Sequence, residues 1–159
     1  VLEESLRAIE PAGEARRITL TADWPQEPLL VDGDDEALRQ AVSNLLDNAV
    51  KYSPEGSRVT LGAREDGGRV VIEVADEGLG IEPRHHERLF ERFYRVDAAR
   101  SRELGGTGLG LAIVKHTALA LGGEVAFESK PGEGSTFRII LPPSRQVSAP
   151  AADDGTHGG

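Results

Sequence analysis

The sequence predicts an α/β fold, with a sheet of about five strands and about three helices on one face. Three observations carry that prediction. Residues 38–49 hold a long apolar stripe at helical spacing. Alternating apolar segments come in pairs around Gly- or Pro-rich turns, at 58–64 with 69–75 and at 123–129 with 135–141. A further apolar helical pattern starts at once after the alternating glycines Gly106, Gly108 and Gly110. Helical and strand periods interleaved along one chain specify a layered α/β domain.

The chain has 159 residues, enough for one domain with a real core. Its net charge of -9 argues against nucleic acid or an anionic membrane as partner. It has no cysteine, which excludes disulfides and thiolate metal sites. No run approaches the ~18 apolar residues of a membrane helix, and no signal peptide opens the chain. The chain starts at Val1 and contains no methionine, so it is expected to be a fragment of a longer protein.

The elements follow in order. Residues 1–16 read as a short helix or two, with Leu2, Leu6 and Ile9 on one face. Residues 18–21 alternate as a strand, and 29–31 read as a second short strand after the Trp24-Pro25 loop. Asp34 or Asp35 can cap the next helix, whose stripe is Leu38, Ala41, Val42, Leu45, Leu46 and Ala49. Beside the stripe runs a polar row, Asn44, Asn48, Lys51 and Tyr52, spaced along one edge. Asparagine is a poor helix former, so two at this spacing point to a function rather than to a solvated face.

The segment 69–75 is apolar on both rows and reads as a central strand. It runs into Asp76, Gly78 and Gly80, a strand-end carboxylate followed by two glycines. An ionised Asp only accepts hydrogen bonds, so it suits an amino group such as N6 of adenine; a turn closing the strand is the plain alternative. Pro83 opens a helix expected to carry Leu89, Phe90 and Phe93, with His85 and His86 solvated at its start. Residues 96–106 show no hydrophobic period and carry Arg100 and Arg102, which reads as a flexible basic lid. The helix after the glycines should bury Leu109, Ala112, Ile113 and, in part, His116, and close at Gly122. The tail, 144–159, is rich in Ala, Pro, Gly and Asp and is expected to be disordered.

The glycine stretch suits a polyphosphate, because glycine admits close backbone approach and a helix N-terminus offers unpaired N–H groups. It is neither a Rossmann fingerprint nor a Walker A loop: the spacing is G-x-G-x-G and no Lys-Ser/Thr pair follows.

Taken as a set, the motifs resemble those of sensor histidine kinases. Asn44-Leu45-Leu46-Asp47-Asn48-Ala49-Val50-Lys51-Tyr52-Ser53 is similar to the N box, and Asp76-Glu77-Gly78-Leu79-Gly80-Ile81 to the G1 box. Leu89-Phe90-Glu91-Arg92-Phe93-Tyr94-Arg95 is similar to the F box, and Gly106-Thr107-Gly108-Leu109-Gly110-Leu111 to the G2 box. Gly132-Glu133-Gly134-Ser135-Thr136-Phe137 resembles the closing strand motif. The five appear in the family's order and cover roughly 1–143.

The resemblance implies the ATP-binding catalytic domain, a two-layer α/β sandwich with a mixed sheet, shared with DNA gyrase, Hsp90 and MutL. It implies ATP and Mg²⁺ as ligands. Asn48 would ligate the metal, and Asn44 and Lys51 would contact phosphates or the metal shell. Asp76 would bind the adenine amine, with Tyr52, Ile81, Leu109 and Leu111 lining the site and Thr136 supporting the adenine end. Gly78 and Gly80 would admit the backbone, and Tyr94 and Arg95 would lie over the nucleotide. Gly106, Thr107, Gly108 and Gly110 would hold the triphosphate.

The relatives that hydrolyse ATP carry a water-activating Glu where this chain has Asn44, and an amide is no base near neutral pH. A kinase is therefore implied, with its acceptor histidine on a separate dimerisation domain, since His85, His86, His116 and His157 are poor candidates. A response regulator would act downstream. The fragment would be monomeric and cytoplasmic, and the full-length protein anchored in the bacterial inner membrane. A stand-alone ATPase or a serine kinase of the same superfamily is the alternative.

Overall fold

The computed structural model describes residues 1–96 and 109–144. A five-stranded sheet in the order β1-β2-β3-β5-β4 carries three helices on one face. The strands are β1 (Thr19–Asp23), β2 (Arg58–Asp66), β3 (Arg69–Asp76), β4 (Glu124–Lys130) and β5 (Gly134–Leu141). The helices are α1 (Leu2–Ala15), α2 (Asp35–Tyr52) and α3 (Gly110–Ala120). β1 and β2 run parallel and every other pair antiparallel, so the sheet is mixed. The parallel pair needs a crossover, and α2 supplies it.

α2 forms where its sequence asks. Asp34 caps it, its side chain accepting from the N–H groups of Glu36 at 2.9 Å and Ala37 at 3.3 Å. All six residues of the expected stripe are buried, joined by Val50. They meet Val59 and Leu61 of β2, Ile72 and Val74 of β3, and Phe137, Ile139 and Leu141 of β5 in one core. Leu46 is fully enclosed; truncating such a side chain to Ala costs about 2–5 kcal/mol.

β3 is central, between β2 and β5, and Val70, Val71, Ile72 and Val74 are buried. The other face of the sheet carries an ion row. Glu73 accepts from Arg64 at 3.0 Å and Arg138 at 3.3 Å, and Arg138 also donates to Glu128 at 3.0 Å. One covered face and one polar face is the layering that the alternating strands require.

Four expectations are corrected. Residues 29–31 form no strand: β1 ends at Asp23, and Leu29 and Val31 pack onto the core from a loop. The helix from Pro83 is a short 3-10 helix of six residues, Pro83–Arg88, and Phe93 sits beyond it at φ 66°, outside any helix. α3 turns a different face inward, burying Val114, Thr117 and Ala118, while Ile113 is 38% exposed and His116 is exposed. The buried set is itself spaced i, i+3, i+4, so two apolar faces competed for one core. His85 and His86 are half-buried with partners rather than solvated.

Gly122 closes α3 as expected, at φ 82°. Of the lid expected at 96–106, residues 97–106, with Arg100 and Arg102, lie outside the described residues, as does the tail at 145–159, with His157. Ser144, the first residue assigned to the tail, is buried; it donates its N–H to the Leu30 carbonyl and its hydroxyl to Asp32.

Candidate functional site

Part of the motif set meets where β3 ends: Asp76, Gly78, the end of α2 at Tyr52 and the closing strand at Ser135. Asp76 is the last residue of β3, and its register partner in β5 is Ser135. Its Oδ1 accepts from the Gly78 N–H at 2.8 Å and the Ser135 N–H at 3.2 Å. Its Oδ2 carries no hydrogen bond among the described residues. Burial holds the carboxyl above the usual carboxylate range, and the two backbone N–H groups offset this only in part. Thr136, half-buried, follows and pairs with Ala75.

The turn after Asp76 is braced against the β4–β5 hairpin. The Ile81 N–H donates to Ser129 Oγ at 2.7 Å, and Ser129 Oγ lies 2.8 Å from Ser135 Oγ. The Gly132 N–H donates to the Leu79 carbonyl at 2.7 Å. Gly80 takes φ 74°, and a Cβ there would run into the Lys130 carbonyl oxygen. Both the angle and the space demand glycine.

α2 reaches this turn with its C-terminal end. A Cβ on Gly78 would stand 2.9 Å from the Tyr52 carbonyl oxygen and 3.0 Å from Asp76 Oδ1. One helical turn and more before that end, the polar row faces α3. Asn44 Nδ2 donates to the Gly110 carbonyl at 3.4 Å, and Gln40 Nε2 donates to Asn44 Oδ1 at 3.2 Å. Asn48 is half-buried, and its amide takes no hydrogen bond among the described residues. Lys51 pairs with Asp47 at 3.0 Å, so the acid beside the asparagine row neutralises a lysine.

Tyr94 and Arg95 are half-buried. The Tyr94 hydroxyl is hydrogen-bonded to His85 Nδ1, and the Arg88 guanidinium lies 4.5 Å above the Tyr94 ring. Arg88, Arg92, Phe93, Tyr94 and Arg95 line a cleft of about 600 Å³, in which the buried Arg95 Nε has no partner. His86 Nε2 donates to the Ile81 carbonyl at 2.9 Å, which fixes the proton on that nitrogen. Leu109 and Leu111 are half-buried at the start of α3, Leu111 against the core. Gly106, Thr107 and Gly108 lie outside the described residues.

Asn44 with Gly110, Tyr52 with Gly78, and Asp76 with Gly78 and the strand of Thr136 are therefore brought together. A separate cleft of about 630 Å³ around Trp24, Pro28 and Glu65 contains none of the motif residues. Sequence reasoning missed Ser129 and Ser135. Both act through a hydroxyl or a backbone N–H on a strand, which leaves no side-chain pattern; only the position of Ser135 inside the closing motif marked it.

A family model described as histidine kinase-, DNA gyrase B- and HSP90-like ATPase matches residues 33–145. The sensor-like histidine kinase SenX3 of Mycolicibacterium smegmatis is 44% identical over 142 residues, covering 89% of this chain and 37% of that protein. The chain thus spans little more than a third of that relative's length. The structure of the mycobacterial sensor histidine kinase MprB superposes with a TM-score of 0.76 at 35% identity, covering 90% of this chain and 96% of that one. Full-length ShkA in complex with AMPPNP gives a TM-score of 0.77 at 33% identity, over 90% of this chain and 29% of that one. On these grounds the chain belongs to the histidine kinase-, DNA gyrase B- and HSP90-like ATPase family, as the catalytic ATP-binding domain of a sensor histidine kinase.

Proposed function

We propose that this domain binds Mg-ATP between α2, the Asp76 turn and the start of α3, and passes the γ-phosphoryl group to a histidine on a separate dimerisation domain. The observation that carries the reading is the half-satisfied Asp76 carboxylate. Two backbone N–H groups fix one oxygen, and the other is left to accept from an exocyclic amine. ShkA, 33% identical, holds AMPPNP, which supports a nucleotide at the corresponding fold position.

The roles follow from the donor chemistry. Asp76 reads the adenine amine, with Thr136 beside it. Tyr52, Ile81 and Leu109 wall the base and sugar, and Gly78 and Gly80 give backbone access. Asn44 and Lys51 reach the phosphates, with Tyr94 and Arg95 over them and the N–H groups of 106–110 and Leu111 beneath. The Asn48 side chain, a neutral hard oxygen with no hydrogen-bond partner among the described residues, fits Mg²⁺, which takes few protein ligands and draws the rest from phosphates and water. The metal would neutralise charge on the β- and γ-phosphates.

In the transfer, the bond from the γ-phosphorus to the bridging oxygen breaks, a P–N bond to the imidazole forms, and ADP leaves. Asn44 and Asn48 carry no base, so attack by water is disfavoured, and this separates the kinase from the ATPase reading. The acceptor is not assigned to this chain. His85 and His86 are engaged with Tyr94 and Ile81, and His116 points outward from α3. A response regulator then takes the phosphoryl group from the histidine. No described helix is long and apolar enough to cross a membrane. We assign membrane anchoring to another part of the full-length protein and a cytoplasmic position to this domain.

Calorimetry of ATP with and without Mg²⁺ tests the binding, and Asn48→Ala should remove most of the metal dependence. Incubation with γ-labelled ATP tests the transfer. The domain alone should label none of its histidines, and adding the separate histidine hairpin should yield acid-labile, alkali-stable phosphate. Equal affinity with and without Mg²⁺ refutes the metal role, and acid-stable phosphoserine refutes the histidine acceptor.

A further inference from the structure

We infer that Arg16, outside every motif, is a positioning residue for the adenine end of the site. Its guanidinium spans two carbonyls at the end of α2. Nε donates to the Val50 carbonyl at 2.9 Å, and one terminal nitrogen donates to the Ser53 carbonyl at 2.5 Å. The last carbonyls of a helix lack intrahelical partners. α2 ends at Ser53 in extended geometry, φ -97° and ψ 146°, so no left-handed glycine cap supplies them. The Ser53 hydroxyl takes the Ala49 carbonyl at 2.6 Å, and Arg16 takes the next one and the one beyond the helix. A cation here also complements the negative end of the helix dipole.

What lies on the far side makes the contact functional. The Tyr52 carbonyl is the atom against which Gly78 packs, and the Gly78 N–H is one of the two donors holding Asp76. Releasing the last turn of α2 therefore loosens Tyr52, then Gly78, then the carboxylate. Arg17 adds a backbone tie: its carbonyl accepts from the Gly56 N–H at 3.1 Å, holding the chain just after α2. The end of α1 is thus anchored to the end of the helix that carries Asn44 and Asn48.

The inference rests on the ATP reading, and the experiment separates the two. Arg16→Ala and Arg16→Lys are compared with the parent and with Leu6→Ala, which loosens α1 against the core without touching the end of α2. ATP affinity is measured by calorimetry well below each melting temperature. Arg16→Ala should bind ATP about tenfold more weakly, from loss of charge-assisted hydrogen bonds. Arg16→Lys, which keeps the charge and one bond, should recover part of this, and Leu6→Ala should match the parent. Inorganic triphosphate, which lacks the base and would meet the loosened turn only through Lys51, should lose less affinity on Arg16→Ala than ATP does. Amide hydrogen exchange without nucleotide gives an independent readout: Arg16→Ala should speed exchange at 51–56 and also at 76–81. Acceleration at 51–56 alone, or an ATP affinity loss equal to that of Leu6→Ala, overturns the positioning role. A parent that binds no ATP overturns the nucleotide reading, while the exchange data still decide the coupling.

Discussion

Asp76→Asn is the most informative change to the site. The substitution is isosteric, and the amide oxygen can keep both backbone N–H bonds now made at 2.8 and 3.2 Å. The amide nitrogen then occupies the place of Oδ2. That position changes from acceptor to donor, and in the proposed complex it would face the donor amine of adenine. A buried polar group left without its partner costs about 1–3 kcal/mol. ATP should therefore bind roughly 5- to 150-fold more weakly. Guanine presents a carbonyl where adenine has the amine, so GTP should lose less, and the ATP-to-GTP preference should collapse. The fold should move in the opposite direction. Burial raises the Asp76 carboxyl above its ordinary value, so the folded state prefers it protonated. The ionised form penalises folding at neutral pH; the penalty fades as pH falls through the raised value and is gone below the unfolded value near 3.9. Asp76→Asn should thus melt higher than the parent at pH 7, with the gain shrinking towards about pH 4. Calorimetric titration with both nucleotides and melting curves from pH 4 to 8 check both halves. An Asp76→Asn protein that binds ATP within twofold of the parent, with its ATP-to-GTP ratio intact, refutes the adenine assignment.

Substitutions at two glycines, at Asn44 and at two phenylalanines have further expected outcomes. Gly80→Ala should cost roughly 2–4 kcal/mol in urea denaturation, since the left-handed angle and the Lys130 carbonyl both oppose a Cβ. Gly67→Ala, at φ 61° in open space, should cost only about 1 kcal/mol. Asn44→Glu should raise ATP hydrolysis only modestly; a parent that already hydrolyses ATP rapidly without an acceptor would favour the ATPase alternative. Phe93 is 63% exposed, whereas the Phe90 ring lies 6.0 Å from Phe127 and 6.2 Å from Phe137. If the exposed Phe93 ring docks the separate hairpin, as we propose, Phe93→Ala should leave stability within about 0.5 kcal/mol and ATP affinity unchanged while lowering phosphorylation of that hairpin. Phe90→Ala should lower the urea midpoint at a cost of about 2–4 kcal/mol.

The sequence made the periodic parts of this fold legible. The stripe of α2 and the apolar rows of β3 follow from burial, and burial imposes a period. It misled where two periods overlapped. On α3, Ile113 with His116 and Val114 with Thr117 are both possible faces, and packing against α2, with β4 and β5 beneath, decided for the second. It misled again at Phe90 and Phe93, where helical spacing suggested a helix that stops at Arg88. The chemistry-bearing residues stood out for a different reason: asparagines inside a helix and a carboxylate at a strand end are locally unfavourable choices. What supports them did not stand out. Arg16 meets Val50 across 34 positions, and Ile81 meets Ser129 across 48. Those contacts exist only once the strands are ordered as β1-β2-β3-β5-β4.

The two ends of the site are built on different principles. At the proposed adenine end three points are tied down: Asp76 by two N–H groups, Ile81 by Ser129, and the end of α2 by Arg16 and Ser53. Groups already fixed lose little freedom when a ligand arrives, so their hydrogen bonds convert efficiently into affinity and selectivity. Elsewhere among the motif residues the pattern is mixed. Asn44 is engaged with Gln40 and Gly110, and Lys51 with a half-exposed Asp47, whereas the Asn48 amide and the buried Arg95 Nε have no hydrogen-bond partner among the described residues. Asn48 and Arg95 have bonds still to make, and charged phosphates with their metal are the ligands that would make them. On the proposed reading, a domain arranged this way would grip the base with fixed geometry and leave the reacting phosphate to groups that settle only when it is present. That division suits phosphoryl transfer to an incoming side chain, because the nucleotide is oriented from its inert end and the γ-phosphate stays open to its acceptor.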